Sequence, residues 1–467
     1  MSSPNDHTRK HIASFSLSRI GYLITAFVAM FAVMAQPIAA QSILRDAETE
    51  ALFRDMVAPL VQASELDAED VEVVLINSSE VNAFVAGGQR IYFYSGTIAE
   101  ADSAVEIQGV MAHELGHITG GHIIRFGEGI KTATGITILS LILGAAAIAA
   151  GAGDAGAGIL AAGQQAAMGK FLAFNRVQER SADAAGARYL SGAGITGKGS
   201  IDFFKKLQNY EFRLGIPQED SYSRTHPLSG ERISLLRDVY QADAAWDHPP
   251  DPEIEERFQR VKAKLFGYIS DPAVTLREFP ETDQTIAARY ARAYAWHKSA
   301  YPDRAMAEVN SLLQDEPNDP YFLELQGQIF LESGKPEAAI ASLRKAVQLT
   351  NNQPLIASLF GHALIATEDK SHFEEAERVL KAAVAKDNQN PFAWYQLGVV
   401  YSQQGDSARA QLATAESAML SRNYGSAIRS SQIAMSGIKE NTPEWIRAQD
   451  ILLTAKNEFE RQDKRRR

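Results

Sequence analysis

The stretch AHELGHITGGH, residues 112 to 122, decides how this chain is read. On an α-helix successive residues turn by about 100°, so His113 and His117 project from one face, one turn apart, with Glu114 beside them. Two imidazoles so placed reach a single ion, and a neighbouring carboxylate can take a proton from water, which is the logic of the His-Glu-x-x-His pattern. A composition with 10 His and 57 acidic residues in 467 yields about 0.03 such matches by chance. Upstream, Ser103 and Glu106 have capping-box spacing, and Ala104, Ile107, Val110, Met111 and Leu115 recur at helical spacing, so the motif is expected on a helix beginning near Ser103. The bland alternative is a core helix with two hydrogen-bonded histidines, which needs neither Glu114 nor a second histidine one turn on.

A third ligand is required. His122 follows His117 too closely: continued as a helix it would lie about 180° from His113, so it is expected at the surface or behind a ligand. The segment NRVQERSADAAGARYL, residues 175 to 190, places Glu179 and Asp183 one helical turn apart. Glu179 could complete the metal site and Asp183 could orient a ligating histidine, or both could be exposed charges of an amphipathic helix.

His113-Glu-x-x-His117 followed by Glu179-Arg-Ser-Ala182-Asp183 resembles the CAAX-prenyl-endopeptidase and HtpX group of zinc metallopeptidases, especially its soluble periplasmic relatives, over roughly residues 45 to 240. The resemblance implies one Zn2+ per chain held by His113, His117 and Glu179, with Asp183 behind a ligand and Glu114 as general base. VNAFVAGGQRIYFYSG, residues 81 to 96, resembles the family's Asn-Ala-Phe segment. Unaided, it reads as a strand, a Gly87-Gly88 turn and an alternating strand. Asn82 and the strand Arg90, Ile91, Tyr92, Phe93 and Tyr94 are expected to form a substrate-binding edge that adds an extended peptide as a further strand. RTHPLSGERI, residues 224 to 233, resembles the family's Thr-His-Pro segment. His226 is then expected near the metal, as an oxyanion stabiliser or in the open coordination position, or else in a turn fixed by Pro227.

Arg9, Lys10 and Arg19 precede an apolar run over residues 20 to 35, and small residues follow to Ala40, the pattern of a secretory signal peptide, with an uncleaved anchor as the alternative. Removing residues 1 to 40 takes the formal net charge from −11 to −13, so a nucleic acid is excluded as a partner. The chain has no cysteine, so metal ligands must be N and O. The expected compartment is the bacterial periplasm.

Residues 132 to 153 are uncharged. A single membrane crossing would put His113 and His117 on one side and Glu179 on the other. The segment 132–165 is therefore expected as a hydrophobic hairpin or amphiphilic helix that covers the cleft or makes peripheral membrane contact, or as a buried helix with a Gly-Ala loop.

Beyond the proline-rich, acidic WDHPPDPEIEE at 246 to 256 the chain repeats. Pro320, Pro354 and Pro391 mark units in which Gly327, Gly361 and Gly398 share a position; Ala339 with Ala376 and Ala346 with Ala383 share two more if three residues are inserted near 368–371. Trp394-x-x-Leu397-Gly398-x-x-Tyr401 is a tetratricopeptide signature. A degenerate unit around Ala293 and Ala305 and helices over 408–459 extend the array.

The expected fold class is α+β and mostly helical: a gluzincin-type metalloprotease domain with a small β-sheet, followed by an all-α tetratricopeptide solenoid. The expected boundaries are a signal peptide at 1–40, protease at 41–245, linker and connecting helix at 246–285, and repeats at 286–467. The domain order resembles periplasmic proteases acting on outer-membrane proteins. That implies a zinc endopeptidase whose substrates are unfolded or misassembled outer-membrane proteins, with the outer-membrane β-barrel assembly machinery as a partner through the repeats. The alternative is a chaperone or scaffold acting through the repeat surface with a latent protease; a prenyl-protein protease is disfavoured by the lack of multiple spans.

Overall fold

A computed structural model describes residues 42–466 apart from 65, 68–69, 150–152, 215–225 and 227–229. The expected signal peptide lies outside the described residues.

The N-terminal half places a four-stranded sheet beside a bundle of helices. The strands are β1 (Ile43–Leu44), β2 (Glu72–Ile76), β3 (Ala83–Ala86) and β4 (Arg90–Tyr94), in the spatial order β1-β2-β4-β3. β3 and β4 form the expected hairpin, antiparallel with Phe84 opposite Tyr92. Its turn carries Gly87 at φ 61° and Gly88 at φ 103°, backbone that a side chain rarely tolerates. One expectation is overturned: Arg90, Ile91, Tyr92, Phe93 and Tyr94 are not the edge, because β2 pairs with β4 in parallel, Glu72 opposite Arg90 through Ile76 opposite Tyr94. A hairpin alone has two free edges. The apolar segment of β2, unassigned in the sequence, closes the β4 side and leaves β3 as the edge.

Helix α1 (Ala47–Ala63) and α2 (Ser95–Glu100) precede the motif helix α3 (Ala104–Thr119). Ser103 occupies the N-cap but makes no side-chain cap bond. Glu106 instead accepts the Asp102 N–H at 2.9 Å and pairs with Lys206 at 2.8 Å, so the capping-box residues mark the helix start without the reciprocal bonds. α3 is buried along most of its length and packs on α1 and α5, with Ile107, Val110, Met111 and Leu115 in a core shared with Leu52, Phe53 and Met56 of α1.

The chain then turns at Gly120 and Gly121 (φ 62°) into α4 (His122–Ala149) and α5 (Gly153–Gly192), which pack as a long antiparallel hairpin. A side chain on Gly163 would collide with Ser140, and one on Gly144 with Leu160, so the arms touch through small residues. Further along α5, a methyl on Gly116 would strike the Ala182 carbonyl, and one on Gly186 would meet the Ala112 backbone at 3.0 Å. That close approach draws the carboxylates of α5 onto the histidines of α3. α6 (Lys198–Leu214) and α7 (Gly230–Gln241) complete this half.

The acidic, proline-rich segment is exposed over 247–253 and leads into the connecting helix. Trp246 packs on the core of the N-terminal half, Asp251 caps α8 (Pro252–Ile269), and Phe258, Val261 and Leu265 of that helix are core residues. After α9 (Pro272–Glu278) come five helix pairs among the described residues. They are α10 (Ile286–Lys298) with α11 (Pro302–Asp315), α12 (Pro320–Glu332) with α13 (Pro336–Leu349), α14 (Pro354–Ala366) with α15 (Phe373–Lys386), α16 (Pro391–Gln403) with α17 (Ser407–Leu420), and α18 (Tyr424–Gly437) with α19 (Pro443–Arg466). The repeat-marking prolines each start the first helix of a pair, where a missing N–H costs nothing. The short 3-10 turn Lys370–His372 occupies the place of the expected insertion. Gly327 and Gly361 admit Leu343 and Leu380 of the partner helix.

Charges hold the array to the N-terminal half. Lys264 of α8 meets Asp46 at 2.5 Å and Glu48 at 3.2 Å, Arg260 bridges Glu48 at 2.5 Å and Asp319 at 2.9 Å, and the Tyr290 hydroxyl donates to Glu48 at 2.9 Å. Burial pushes Glu324, beside this cluster, up from 4.5 to about 8. A carboxyl raised in the folded state holds a proton that the unfolded chain has released, so its stabilising effect is present below 4.5 and is lost as pH rises to about 8. In thermal melts, Glu324→Gln should therefore lessen the decline in Tm between these pH values; an unchanged pH dependence would contradict the assignment.

Candidate metal centre

α3 and α5 cross where neither carries a bulky side chain, and the four groups expected from the sequence converge there. His113 and His117 approach each other through their Nε2 atoms at 3.1 Å. Glu179 faces both, with Oε2 at 3.4 Å from His113 Nε2 and Oε1 at 3.3 Å from His117 Nε2. His226 joins them, its Nδ1 at 3.2 Å from both His113 Nε2 and Glu179 Oε1. One ligand atom from each of these four side chains lies within 4.8 Å of the others. Pro227, invoked for a turn at His226, lies outside the described residues.

Outer partners fix the rings. Asp183 Oδ1 lies 3.0 Å from His113 Nδ1, and His122 Nδ1 lies 2.9 Å from His117 Nδ1. With Nδ1–H donated outward in each case, both Nε2 lone pairs face the centre, the tautomer a cation needs. The turn at Gly121 invalidates the continued-helix placement of His122, and instead of a surface position the residue is buried behind His117.

Sequence reasoning missed Arg232. On α7, six residues after His226, it is buried and donates to Asp183 through Nε at 2.5 Å and Nη2 at 2.8 Å, and its Nη1 lies 3.0 Å from Glu179 Oε2. Its guanidinium stands over the Phe204 ring at 5.3 Å. The basic residue in the segment containing His226 was visible, but only the crossing of α7 with α5 reveals its partners.

Electrostatics follow from this packing. Burial works against ionising Asp183, yet Arg232 and His113 hold it below the usual carboxylate range; against the same opposition, His226, His113 and His117 hold Glu179 well below it. Burial alone would lower His113, but Asp183 and Glu179 raise it to about 9. Burial lowers His117.

Glu114 is the exception. It is fully buried, and neither carboxylate oxygen has a hydrogen-bond partner; His226 Nε2 lies 3.5 Å from Oε1. Leaving such a group unmatched costs about 1–3 kcal/mol or more. A nitrogen and oxygen donor set converging beside an unmatched carboxylate fits a metal ion and a water molecule. A cavity of about 250 Å³ opens onto these groups, lined also by Phe84 and Val85 of β3 and by Phe174.

Asn82 acts through its backbone: its N–H donates to Thr97 Oγ1 at 2.8 Å and its carbonyl accepts from Thr97 at 2.6 Å and from the Tyr94 N–H at 2.9 Å. These bonds fix the start of β3 beside the cavity.

Residues 14–239 match the model of peptidase family M48, and residues 305–422 match the TPR domain of cytochrome c-type biogenesis protein H. The chain is 26% identical over 384 residues to a beta-barrel assembly-enhancing protease of Yersinia pestis, covering 80% of this chain and 76% of that one. It is 25% identical over 370 residues to the Escherichia coli (strain K12) protein of that name, covering 78% and 71%. A shorter match, 29% over 181 residues, is to the metalloprotease LoiP of Escherichia coli (strain K12), covering 38% and 66%.

Proposed function

From a chain that carries a peptidase family M48 domain joined to a tetratricopeptide array, and is thereby a metalloendopeptidase, we propose a zinc-dependent enzyme of the bacterial periplasm that degrades misfolded or stalled outer-membrane proteins. The observation that carries the reading is the convergence of His113, His117 and Glu179 beside the unmatched carboxylate of Glu114. The donor set of two imidazoles and one carboxylate suits zinc. When bound, the ion supplies a Lewis acid that polarises the peptide carbonyl and acidifies water.

The chain's own residues do the rest. Glu114 accepts the proton from the attacking water and returns it to the leaving amine. Asp183 and His122 hold the two imidazoles in the tautomer that presents Nε2. Arg232 neutralises Asp183 and steadies Glu179.

Substrate lies along β3. The Tyr94 N–H bonds to the Asn82 carbonyl, so in this antiparallel ladder Phe84 with Tyr92 is also a hydrogen-bonded pair, and Ala83 and Val85 turn their N–H and C=O groups away from β4. An extended peptide docking there is held by backbone bonds, which places little demand on sequence and suits unfolded outer-membrane proteins. Val85→Pro removes one outward donor without touching a ladder bond, and should raise KM about tenfold while leaving zinc content unchanged; an unaltered KM would exclude β3 as the docking edge. The proposed protein partner is the β-barrel assembly machinery, bound through the repeats.

A second reading has its own support. His226 Nδ1 stands within 3.2 Å of His113 Nε2 and Glu179 Oε1, so it can fill the coordination position that a substrate needs, which favours a latent protease with a chaperone role for the repeats. In the open state the same imidazole can stabilise the oxyanion. The deciding experiment is cleavage of an unfolded outer-membrane protein by wild type and His226→Ala, with and without a chelator and with zinc restored. Chelator-sensitive cleavage by wild type supports the enzyme, cleavage only by the variant supports latency, and cleavage indifferent to chelator contradicts both.

A further inference from the structure

The hairpin of α4 and α5 projects an apolar surface that nothing in the described structure covers. Ile138, Leu139, Leu141, Ile142 and Leu143 are each half or more exposed, with Ile142 at 62%. At about 100° per residue these five span an arc of about 200° around α4. The remaining arc, with Ser140 and Gly144, is buried against Gly163 and Leu160 of α5. Residues 130–147 are long and apolar enough to cross a membrane, yet only 11% of that window is buried.

We propose that α4 is a lipid-embedded element: the hairpin lies on a bilayer with the apolar arc of α4 in the acyl region and α5 on its water side. Three observations select lipid over a protein partner. A protein groove covers one stripe of a helix, about 100° wide, whereas acyl chains wrap an arc twice that width. Away from α4, the part of α5 nearest the hairpin turn exposes Asp154 and Gln165 among alanines and glycines and no large apolar side chain up to Ala167, which gives the two-sided character of interfacial helices. No charged residue falls between Lys131 and Asp154, so the buried stretch desolvates no ion, and its backbone is satisfied within the helix.

The charge pattern fixes the kind of attraction. Arg125, Lys131 and Lys170 stand against Glu128 and Asp154 over residues 122–170, a net charge of only +1, and the chain as a whole is acidic. Binding is therefore driven by apolar burial, needs no anionic lipid and survives high salt. α5 runs unbroken from the hairpin to Glu179, nine residues beyond Lys170, or about 14 Å along the axis. The metal centre is thus carried by the helix that packs on the lipid-embedded α4.

The test uses the full chain and phosphatidylcholine vesicles. Because the protein has no cysteine, single variants Ile142→Cys and Gln165→Cys can carry an environment-sensitive fluorophore on opposite sides of the hairpin. The expected result is flotation with vesicles in low and high salt, a blue shift at position 142 and none at 165, and loss of flotation in the Leu139→Gln, Ile142→Gln, Leu143→Gln variant with its metal content and circular dichroism retained. Three results would overturn the proposal: no flotation of the wild type, flotation only with anionic vesicles, or a concentration-dependent blue shift at 142 without vesicles, which would mean that a second copy of the chain covers the face. None of these readouts involves cleavage, so they stand apart from the protease assignment.

Discussion

Glu114→Gln is expected to lower kcat by about 10²–10⁴ while leaving metal content and fold unchanged. The carboxylate is fully buried, has no hydrogen-bond partner and lies beside the cluster of His113, His117 and Glu179. A group buried for structural reasons would be matched, since an orphaned carboxylate costs stability. Its replacement by the neutral isostere should therefore leave the melting temperature the same or higher. Retained turnover in a contaminant-free preparation would remove Glu114 from the mechanism, and a large loss of stability would give it a structural role instead.

Arg232→Met is expected to cost the metal-free protein about 3–5 kcal/mol, because it leaves Asp183 and Glu179 buried without their shared counter-charge. The side chain donates to Asp183 at 2.5 and 2.8 Å and reaches Glu179 at 3.0 Å. A bound cation supplies part of the missing positive charge, so zinc should raise the melting temperature of the variant more than that of the wild type. Arg232→Lys should rescue only in part, since an ammonium cannot reproduce the planar fork on Asp183. Equal zinc stabilisation of variant and wild type would show that Arg232 does not balance the site's carboxylates.

What the sequence disclosed, and what it did not, follows the range of each signal. The two histidines and Glu114 are written within one helical turn, and Glu179 with Asp183 within another, so each pair's shared face was legible. Their convergence was not, because it depends on Gly116 and Gly186 letting α3 and α5 approach backbone to backbone. The repeats were legible because a period with prolines at fixed positions is a local property, and the insertion at Lys370–His372 shows in the alignment itself. The strand order was not, since β2 pairs with β4 across an intervening strand. That pairing leaves Ala83–Ala86 rather than Arg90–Tyr94 at the edge of the sheet. His122 stands behind a ligand, one of its two expected positions, but by another route than a continued helix: the positive φ at Gly121 turns the side chain onto His117.

The central claim is that His113, His117 and Glu179 hold one catalytic zinc ion, and elemental analysis of the purified chain tests it most directly. Wild type and Glu114→Gln are expected to contain about one zinc per chain, and Glu179→Gln to lose both the metal and cleavage of an unfolded outer-membrane protein. Wild type without zinc, or Glu179→Gln with a full complement of it, would contradict the account.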